Sequence, residues 1–276
     1  MAQVKTADIA KLRKLTGAGM MDCKKALQES NNDIDKAIEI IRERGKAIAN
    51  KRADREASEG AALAAASADN KKGAIVVLNC ETDFVAKNED FVALTNNILR
   101  TALEQSPADL DALKKLEIDG TAIETLVQDQ SGITGEKFEL SYYEKLEGEK
   151  IVTYIHPGNK LATIVAFNKS DVDEQAGKDI AMQIAAMNPI SIDIDNVPEK
   201  VRKQEYEIGR EQARIEGKPE KILDKIAEGR LQKFFKENTL MNQDFIKDAK
   251  MSIKDYLKSI DPELKVTGFK RVSLSA

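Results

Sequence analysis

Through the first fifty positions apolar residues recur every three or four places; beyond Gly60 they fall into short runs bounded by Asp, Asn, Lys and Gly. The first pattern predicts helices and the second strands. Ile9, Leu12 and Leu15 follow Thr6, read as an N-cap; Gly17-Ala18-Gly19 interrupts the period, and 20–27 resumes it with Cys23, Ala26 and Leu27 on one side. A third helix is expected from Asn32-Asp33 through Ile34, Ala37, Ile38 and Ile41. An Asx cap suits its start, and Asp33 and Asp35 suit the positive end of its dipole. The mixed-charge stretch 42–52 then predicts a partly helical linker with a solvated face, leading to Gly60.

From Gly60 the runs 61–68 and 74–79, joined by Asp69-Asn70-Lys71-Lys72-Gly73, predict a β-hairpin whose second strand is apolar enough to be buried. After a short loop Asn88 caps a helix carrying Phe91, Val92, Leu94, Thr95, Ile98 and Leu99; further helices are expected at 107–116 and 121–130. A second strand-rich block begins at Phe138. Shifted by 89 positions the chain echoes itself without a gap: Ile75-Val76-Val77-Leu78-Asn79 falls on Ile164-Val165-Ala166-Phe167-Asn168, and Asp69-Asn70-Lys71 on Gly158-Asn159-Lys160. Two similar hairpin-plus-helix halves are therefore expected in the core.

Farther on, Val201, Ile208, Ile215 and Ile222 recur every seven residues, and Gly217-Lys218-Pro219 marks a turn between two helices. They predict an antiparallel helical hairpin about 28 Å long, from a rise of ~1.5 Å per residue. Its second arm is striped by Leu223, Ala227, Leu231 and Phe234. One more amphipathic helix is expected over 244–257, and a closing strand over 266–274 that returns to the second sheet. The fold class is α+β, divided into a helical domain with linker at 1–55, a first core subdomain at 56–140, a second at 141–197, the hairpin insertion at 198–240, and the second subdomain's last helix and strand at 241–276.

Composition narrows the functions. Charged residues at 33% and apolar ones at 42% describe a folded, soluble chain, with no run near the ~18 apolar residues of a membrane span. A net charge of −4 lacks the basic excess of a nucleic-acid binder, so no nucleic-acid partner and no membrane partner is expected. The opening Met-Ala-Gln-Val-Lys-Thr has no secretory h-region, and Cys23 and Cys80 stand far apart. A cytoplasmic, reducing setting follows. With one His, His156, and no Cys/His cluster, no metal site, cofactor or catalytic residue is expected. Cys80 with His156 is the one nucleophile-and-base pairing, against the plainer reading of Cys80 as a small packed hydrophobe.

Directly after the first hairpin the chain reads Thr82-Asp83-Phe84-Val85-Ala86-Lys87-Asn88. An aromatic beside a carboxylate at the mouth of a loop suits insertion into a pocket of another protein. The alternatives are a core aromatic beneath the next helix for Phe84, and a loop or helix cap for Asp83. At the echoed position the second half has Val172-Asp173, so one half alone carries such a tip.

The run Leu12-Arg13-Lys14-Leu15-Thr16-Gly17-Ala18-Gly19-Met20-Met21-Asp22-Cys23-Lys24-Lys25-Ala26-Leu27 and the run Asn79-Cys80-Glu81-Thr82-Asp83-Phe84-Val85-Ala86-Lys87-Asn88 resemble two signatures of the bacterial translation elongation factor Ts family. Val197-Pro198, Gly217-Lys218-Pro219, Glu228-Gly229-Arg230-Leu231 and Val266-Thr267-Gly268-Phe269 extend the resemblance over essentially the whole chain. It implies an N-terminal three-helix ubiquitin-associated-like domain, a core of two similar antiparallel-sheet-plus-helix subdomains, an inserted helical hairpin, and guanine-nucleotide exchange on elongation factor Tu, GDP-bound or nucleotide-free. It also implies that Thr82, Asp83, Phe84 and Val85 reach the magnesium and phosphate site of the partner's G domain, with Arg13, Met20 and Met21 on the same domain and His156 as a weaker contact.

Three departures stand out. Gln183, in Asp179-Ile180-Ala181-Met182-Gln183, occupies the family's usual His position; Asn159 and Ala162 replace glycines after His156; and the chain ends shortly after Arg271, without the extra helical module of longer members. The rival reading is an interaction or chaperone-like module that leaves its partner's nucleotide affinity unchanged.

Overall fold

The computed structural model describes residues 4–52 and 54–274; Ala53, inside the expected linker, lies outside them. Helix α1 (Thr6–Thr16) starts one residue earlier than expected. Thr6 is already helical, and Lys5 is the N-cap because its carbonyl accepts from the Asp8 and Ile9 N–H groups at 3.0 and 3.2 Å. Gly17, at φ 70°, ends the helix. Helices α2 (Met20–Glu29) and α3 (Ile34–Lys51) follow. Asp33 Oδ1 accepts from Lys36 N–H at 3.1 Å at the start of α3. Leu12, Cys23, Ala26, Leu27, Ala37 and Ile41 make the core of this unit.

Strands β1 (Glu59–Ala66) and β2 (Lys72–Cys80) pair antiparallel, with Glu59 opposite Cys80. A single helical turn, α4 (Asp83–Ala86), leads into α5 (Glu89–Gln105), where Asn88 Oδ1 accepts from Asp90 N–H at 2.8 Å. Then come α6 (Leu110–Lys115), the short β3 (Glu117–Ile118) and β4 (Thr121–Ala122), α7 (Ile123–Thr134) and β5 (Glu139–Glu147). Strand β5 pairs with β2, so the first sheet runs β1-β2-β5. A boundary at residue 140 would split β5; between the two sheets it falls after Glu147.

The second half holds β6 (Lys150–Ile155), β7 (Leu161–Phe167) and α8 (Glu174–Met187), then the long helices α9 (Glu199–Ile215) and α10 (Glu220–Asn238). Its remaining elements are β8 (Asp244–Phe245), β9 (Asp248–Ser252), α11 (Ile253–Ile260) and β10 (Val266–Ser273). Strand β10 returns to pair with β7, making the order β10-β7-β6. The segment 244–257 is thus not one helix. Its first part pairs as a hairpin, Asp244 opposite Ser252, and helix α11 begins only where Ser252 Oγ accepts from Asp255 N–H at 3.1 Å.

The 89-residue offset extends into the pairing. Leu63 stands opposite Val76 in the first sheet, and Val152 opposite Val165 in the second. It extends further, to the bonds between the halves: Ala62 N–H donates to the Asn159 carbonyl at 2.7 Å, and Ile151 N–H to the Asn70 carbonyl at 2.6 Å. Donors and acceptors of the two bonds are both 89 positions apart. Asn70 and Asn159 share a left-handed backbone at φ 56° and 58°, which Asn tolerates better than other side chains. That accounts for Asn159 at a position where the resemblance leads one to expect glycine. Ala62, Ala64, Ile75 and Val77 from one sheet meet Ile151, Ala162, Ile164 and Ala166 from the other in a buried apolar central layer, while helices α5 and α8 cover the outer faces.

In the helical hairpin the seven-residue series divides, Val201 packing against the cluster of Leu231 and Phe235. Ile208 and Ile215 are exposed; the buried residues are Gly209 and Ala213 in α9 and Leu223, Ala227, Leu231 and Phe235 in α10, with Phe234 only partly covered. Small residues win the seam because they let the helices approach: a Cβ on Gly209 would sit 3.3 Å from the Arg230 Cβ. Ion pairs of Arg210 with Asp224 at 2.7 Å and Arg230 with Glu216 at 2.7 Å flank it.

The stretch 42–52 is likewise not a linker. Helix α3 continues through it and crosses α7, and a Cβ on Gly132 would lie 2.1 Å from the Gly45 Cα. Beside the crossing lies a cavity of about 250 Å³ lined by Leu15, Ile38, Ile48, Leu126 and Ile133 among others. Asp129 faces Arg42, Nε to Oδ2 3.7 Å, while its Oδ1 is buried without a hydrogen-bond partner. Burial pushes its carboxyl above the usual range, against the pull of Arg42 and Lys46.

Two outcomes are expected. Gly132→Ala forces α3 off α7 and lowers stability by about 1–3 kcal/mol in denaturant unfolding, with faster proteolytic cleavage after α3. For Asp129 the folded carboxyl titrates above its unfolded value, so its contribution favours folding at acid pH and is lost as pH rises through the folded value. Asp129→Asn therefore raises the melting temperature at neutral pH, by an increment that shrinks as pH falls into the ordinary carboxylate range.

Candidate functional site

Turn α4 hangs between the end of β2 and Asn88, and every side chain in it but one is occupied. Ala86 is buried and Val85 packs against the first subdomain's core. Thr82 caps the turn: its Oγ1 accepts from Val85 N–H at 3.4 Å, and its carbonyl accepts from Ala86 N–H at 3.1 Å and from the Cys80 thiol at 3.2 Å. Thr82 also donates twice to Glu136, from N–H at 3.0 Å and from the hydroxyl at 2.7 Å. Asp83 does not cap the turn. Its Oδ2 takes the Lys87 ammonium at 2.6 Å, a bond that holds the Asp83 carboxyl below the usual range and raises Lys87. Phe84 is left 84% exposed. The reading of Phe84 as a core aromatic fails, because Phe91 and Phe138, ring centroids 5.0 Å apart, fill that place.

The turn of His156 lies at the same end of the molecule. His156 N–H donates to the Leu161 carbonyl at 2.8 Å, Tyr154 Oη and His156 Nδ1 are 2.9 Å apart, and Lys160 pairs with Glu59 of β1 at 2.8 Å. Lys160 is near enough to help lower Asp83, and Glu59 to help raise Lys87. An alternating set of charges thus surrounds the base of Phe84. Nothing in the local sequence announces Glu59, Lys160 or Glu136 as neighbours of the turn, since they lie tens of residues away along the chain.

On the N-terminal unit Met20 is 54% and Met21 61% exposed, with Leu15 exposed beside them. Arg13 and Met20 line one shallow groove with Thr6, Ile9, Ala10 and Lys14. This unit and the Phe84 turn share a mount. Helix α3 packs on α7, α7 ends beside Glu136, and Glu81 accepts from Arg52 and Arg55 at 3.0 Å each and from Lys137 N–H at 2.6 Å. Burial works against ionisation of Glu81, but these three donors hold its carboxyl below the usual range.

Other expectations change here. Gln183 is fully buried: its Nε2 donates to Gln243 Oε1 at 3.1 Å and to the Asp244 carbonyl at 3.2 Å, and its Oε1 accepts from Ile246 N–H at 2.9 Å. An amide, donor and acceptor at once, meets that internal demand, so the position is part of the subdomain's own packing. Cys80 is buried too, and burial pushes its thiol up to about 12, so it holds no thiolate for attack. His156 is exposed. The nucleophile-and-base pairing is overturned. Among the described residues no group of three His, Cys, Asp or Glu side chains could hold a metal ion, and no helix is long and apolar enough to cross a membrane.

The structure thus presents an exposed aromatic on a pinned turn, and a shallow groove with exposed methionines on the N-terminal unit. The profile of the family described as Elongation factor TS matches residues 81–276. The chain is 54% identical over 272 residues to an elongation factor Ts of Porphyromonas gingivalis, covering 98% of this chain and 97% of that protein. It is also 48% identical over 275 residues to that of Christiangramia forsetii, covering 99% and 100%, and 54% identical over 271 residues to that of Amoebophilus asiaticus, covering 98% of each. The chain belongs to the elongation factor Ts family.

The state of the cysteines gives a direct check. In the folded protein at mildly alkaline pH, iodoacetamide is expected to leave Cys80 unmodified, with full labelling after denaturation, as read by intact mass.

Proposed function

We propose that this protein is a guanine-nucleotide exchange factor for elongation factor Tu in translation elongation, and that Phe84 is the wedge that promotes GDP release. The family identity implies the exchange role. The single observation that supports the wedge is the 84% exposure of Phe84 on a turn whose neighbours are otherwise engaged.

Exchange requires the factor to weaken nucleotide binding without hydrolysing anything. Coupling is reciprocal, so nucleotide displaces the factor by the same ratio. Burying the Phe84 ring in the partner contributes ~1.5–3 kcal/mol. That energy favours a G-domain conformation with its magnesium and phosphate ligands misplaced. Because Thr82, Val85 and Ala86 already hold the turn, little ordering entropy opposes insertion.

Asp83 enters beside the ring, exchanging its Lys87 partner for groups at the G domain's magnesium site. Arg13, Met20 and Met21, carried by a ubiquitin-associated-like domain, hold the same G domain from another side, and His156 makes a lesser contact. The reading places the work in the cytoplasm, on GDP-bound and nucleotide-free partner, with no direct nucleic-acid contact.

Phe84→Ala is expected to slow the factor-stimulated release of labelled GDP from elongation factor Tu at least about tenfold, the ratio that ~1.4 kcal/mol corresponds to. Stopped-flow fluorescence measures it. Release as fast as with the parent protein would reject the wedge, and a factor that bound without altering release at all would instead be a plain interaction module.

A further inference from the structure

The geometry points to Glu136, rather than Asp83, as the carboxylate that aims Phe84; it acts through Thr82 as a positioning residue for exchange. This inference rests on the exchange reading of Phe84.

A ring that is 84% exposed has almost no packing of its own to set its direction. Its aim comes from the backbone of α4, four residues long, and one turn of helix does not hold itself in water. Thr82 is the joint between that turn and β2. Both of its donors go to the two oxygens of one carboxylate, N–H to Glu136 Oε2 and hydroxyl to Glu136 Oε1. With the hydroxyl proton committed to Glu136, the Thr82 oxygen keeps its lone pairs for Val85 N–H, the bond that closes the turn. The carboxylate thus fixes the cap, and the cap fixes the turn.

Glu136 is itself held in place. It follows Gly135, the left-handed end of α7 at φ 73°, and the next residue, Lys137, donates its N–H to Glu81 at 2.6 Å. The pairs 81–82 and 136–137 therefore grip each other reciprocally: Thr82 donates to Glu136 while Lys137 donates to Glu81. Glu81 brings in Arg52 and Arg55 as well, tying the same clamp to the end of the N-terminal unit. Asp83 has no comparable hold. Its partner Lys87 is 75% exposed and comes from within the same short segment, and exposed pairs of this kind contribute little.

The test compares Glu136→Ala, Glu136→Gln and Phe84→Ala, with melting temperatures confirming folded protein. Two quantities are read: GDP release from elongation factor Tu across factor concentrations, and hydrogen exchange of the Thr82 amide in the free factor. Glu136→Ala is expected to lower the maximal release rate about tenfold, as Phe84→Ala does, while the half-saturating concentration stays within about twofold. Glu136→Gln, which keeps an acceptor for Thr82 N–H, is expected to restore most of the rate. Protection of the Thr82 amide falls in the Ala variant and returns in the Gln variant. In a Phe84→Ala background Glu136→Ala adds less than about twofold, because the two act as one unit.

Unchanged Thr82 protection in Glu136→Ala overturns the inference, as does a parent-like maximal rate in that variant while Phe84→Ala is slow. If Phe84→Ala itself releases GDP like the parent, the wedge reading of Phe84 falls and takes this role with it, whatever the Thr82 amide reports about the contact.

Discussion

Two backbone hydrogen bonds, Ala62 N–H to the Asn159 carbonyl and Ile151 N–H to the Asn70 carbonyl, tie each half of the core to the hairpin turn of the other. They form because alanines dominate the layer between the sheets: Ala62 and Ala64 on one side face Ala162 and Ala166 on the other, with Ile75, Val77, Ile151 and Ile164 filling the remainder. Bulkier side chains would hold the sheets apart and leave buried N–H and carbonyl groups unmatched, which is costly in an apolar layer. Everything farther out depends on this closeness. Helices α5 and α8 have sheet faces to cover only because the opposite faces are already spent on each other.

The candidate site is a consequence of that frame. One end of the double sheet carries the α4 turn from the first half and the His156 turn from the second, with Lys160 reaching back to Glu59. Helix α7 lies at the same end and holds both α3, through the Gly45 and Gly132 crossing, and Thr82, through Glu136. A surface aromatic normally adds little to a fold and invites unwanted association. Here the side chains around Phe84 are satisfied internally, so the ring's exposure comes with a turn that is bonded on every other side.

Much of the outline was legible from residues alone. Asn88 as a cap, the turn at Gly217-Lys218-Pro219, the hairpin on either side of Asn70 and the returning strand at 266–273 all follow from short-range chemistry: cap oxygens, left-handed φ values and alternation of apolar positions. The errors share one cause. The stretch 42–52 looked like a solvated linker because its charges are mixed, yet Gly45 and Arg42 face α7, eighty or more residues away. Ile208 and Ile215 continue the seven-residue series, yet the residues buried in α9 are Gly209 and Ala213. The segment 244–257 has a helical period, yet Gln183 captures Ile246 N–H and holds its first part as a hairpin.

At the site the division is similar. By itself the sequence determined that Phe84 and Asp83 stand side by side after a strand apolar enough to be buried; it left Cys80 and His156 open as a nucleophile and base, a pairing that only the burial of Cys80 removed. It did not determine which carboxylate does what. Asp83 sits next to Phe84 in the chain but turns to Lys87, whereas Glu136, 54 positions from Thr82, takes both of its donors. Local propensity and periodicity act over a few residues and are written in neighbours along the chain; the direction of a side chain on a short turn is set by groups that only the packing of α7 against the first sheet brings within hydrogen-bond reach.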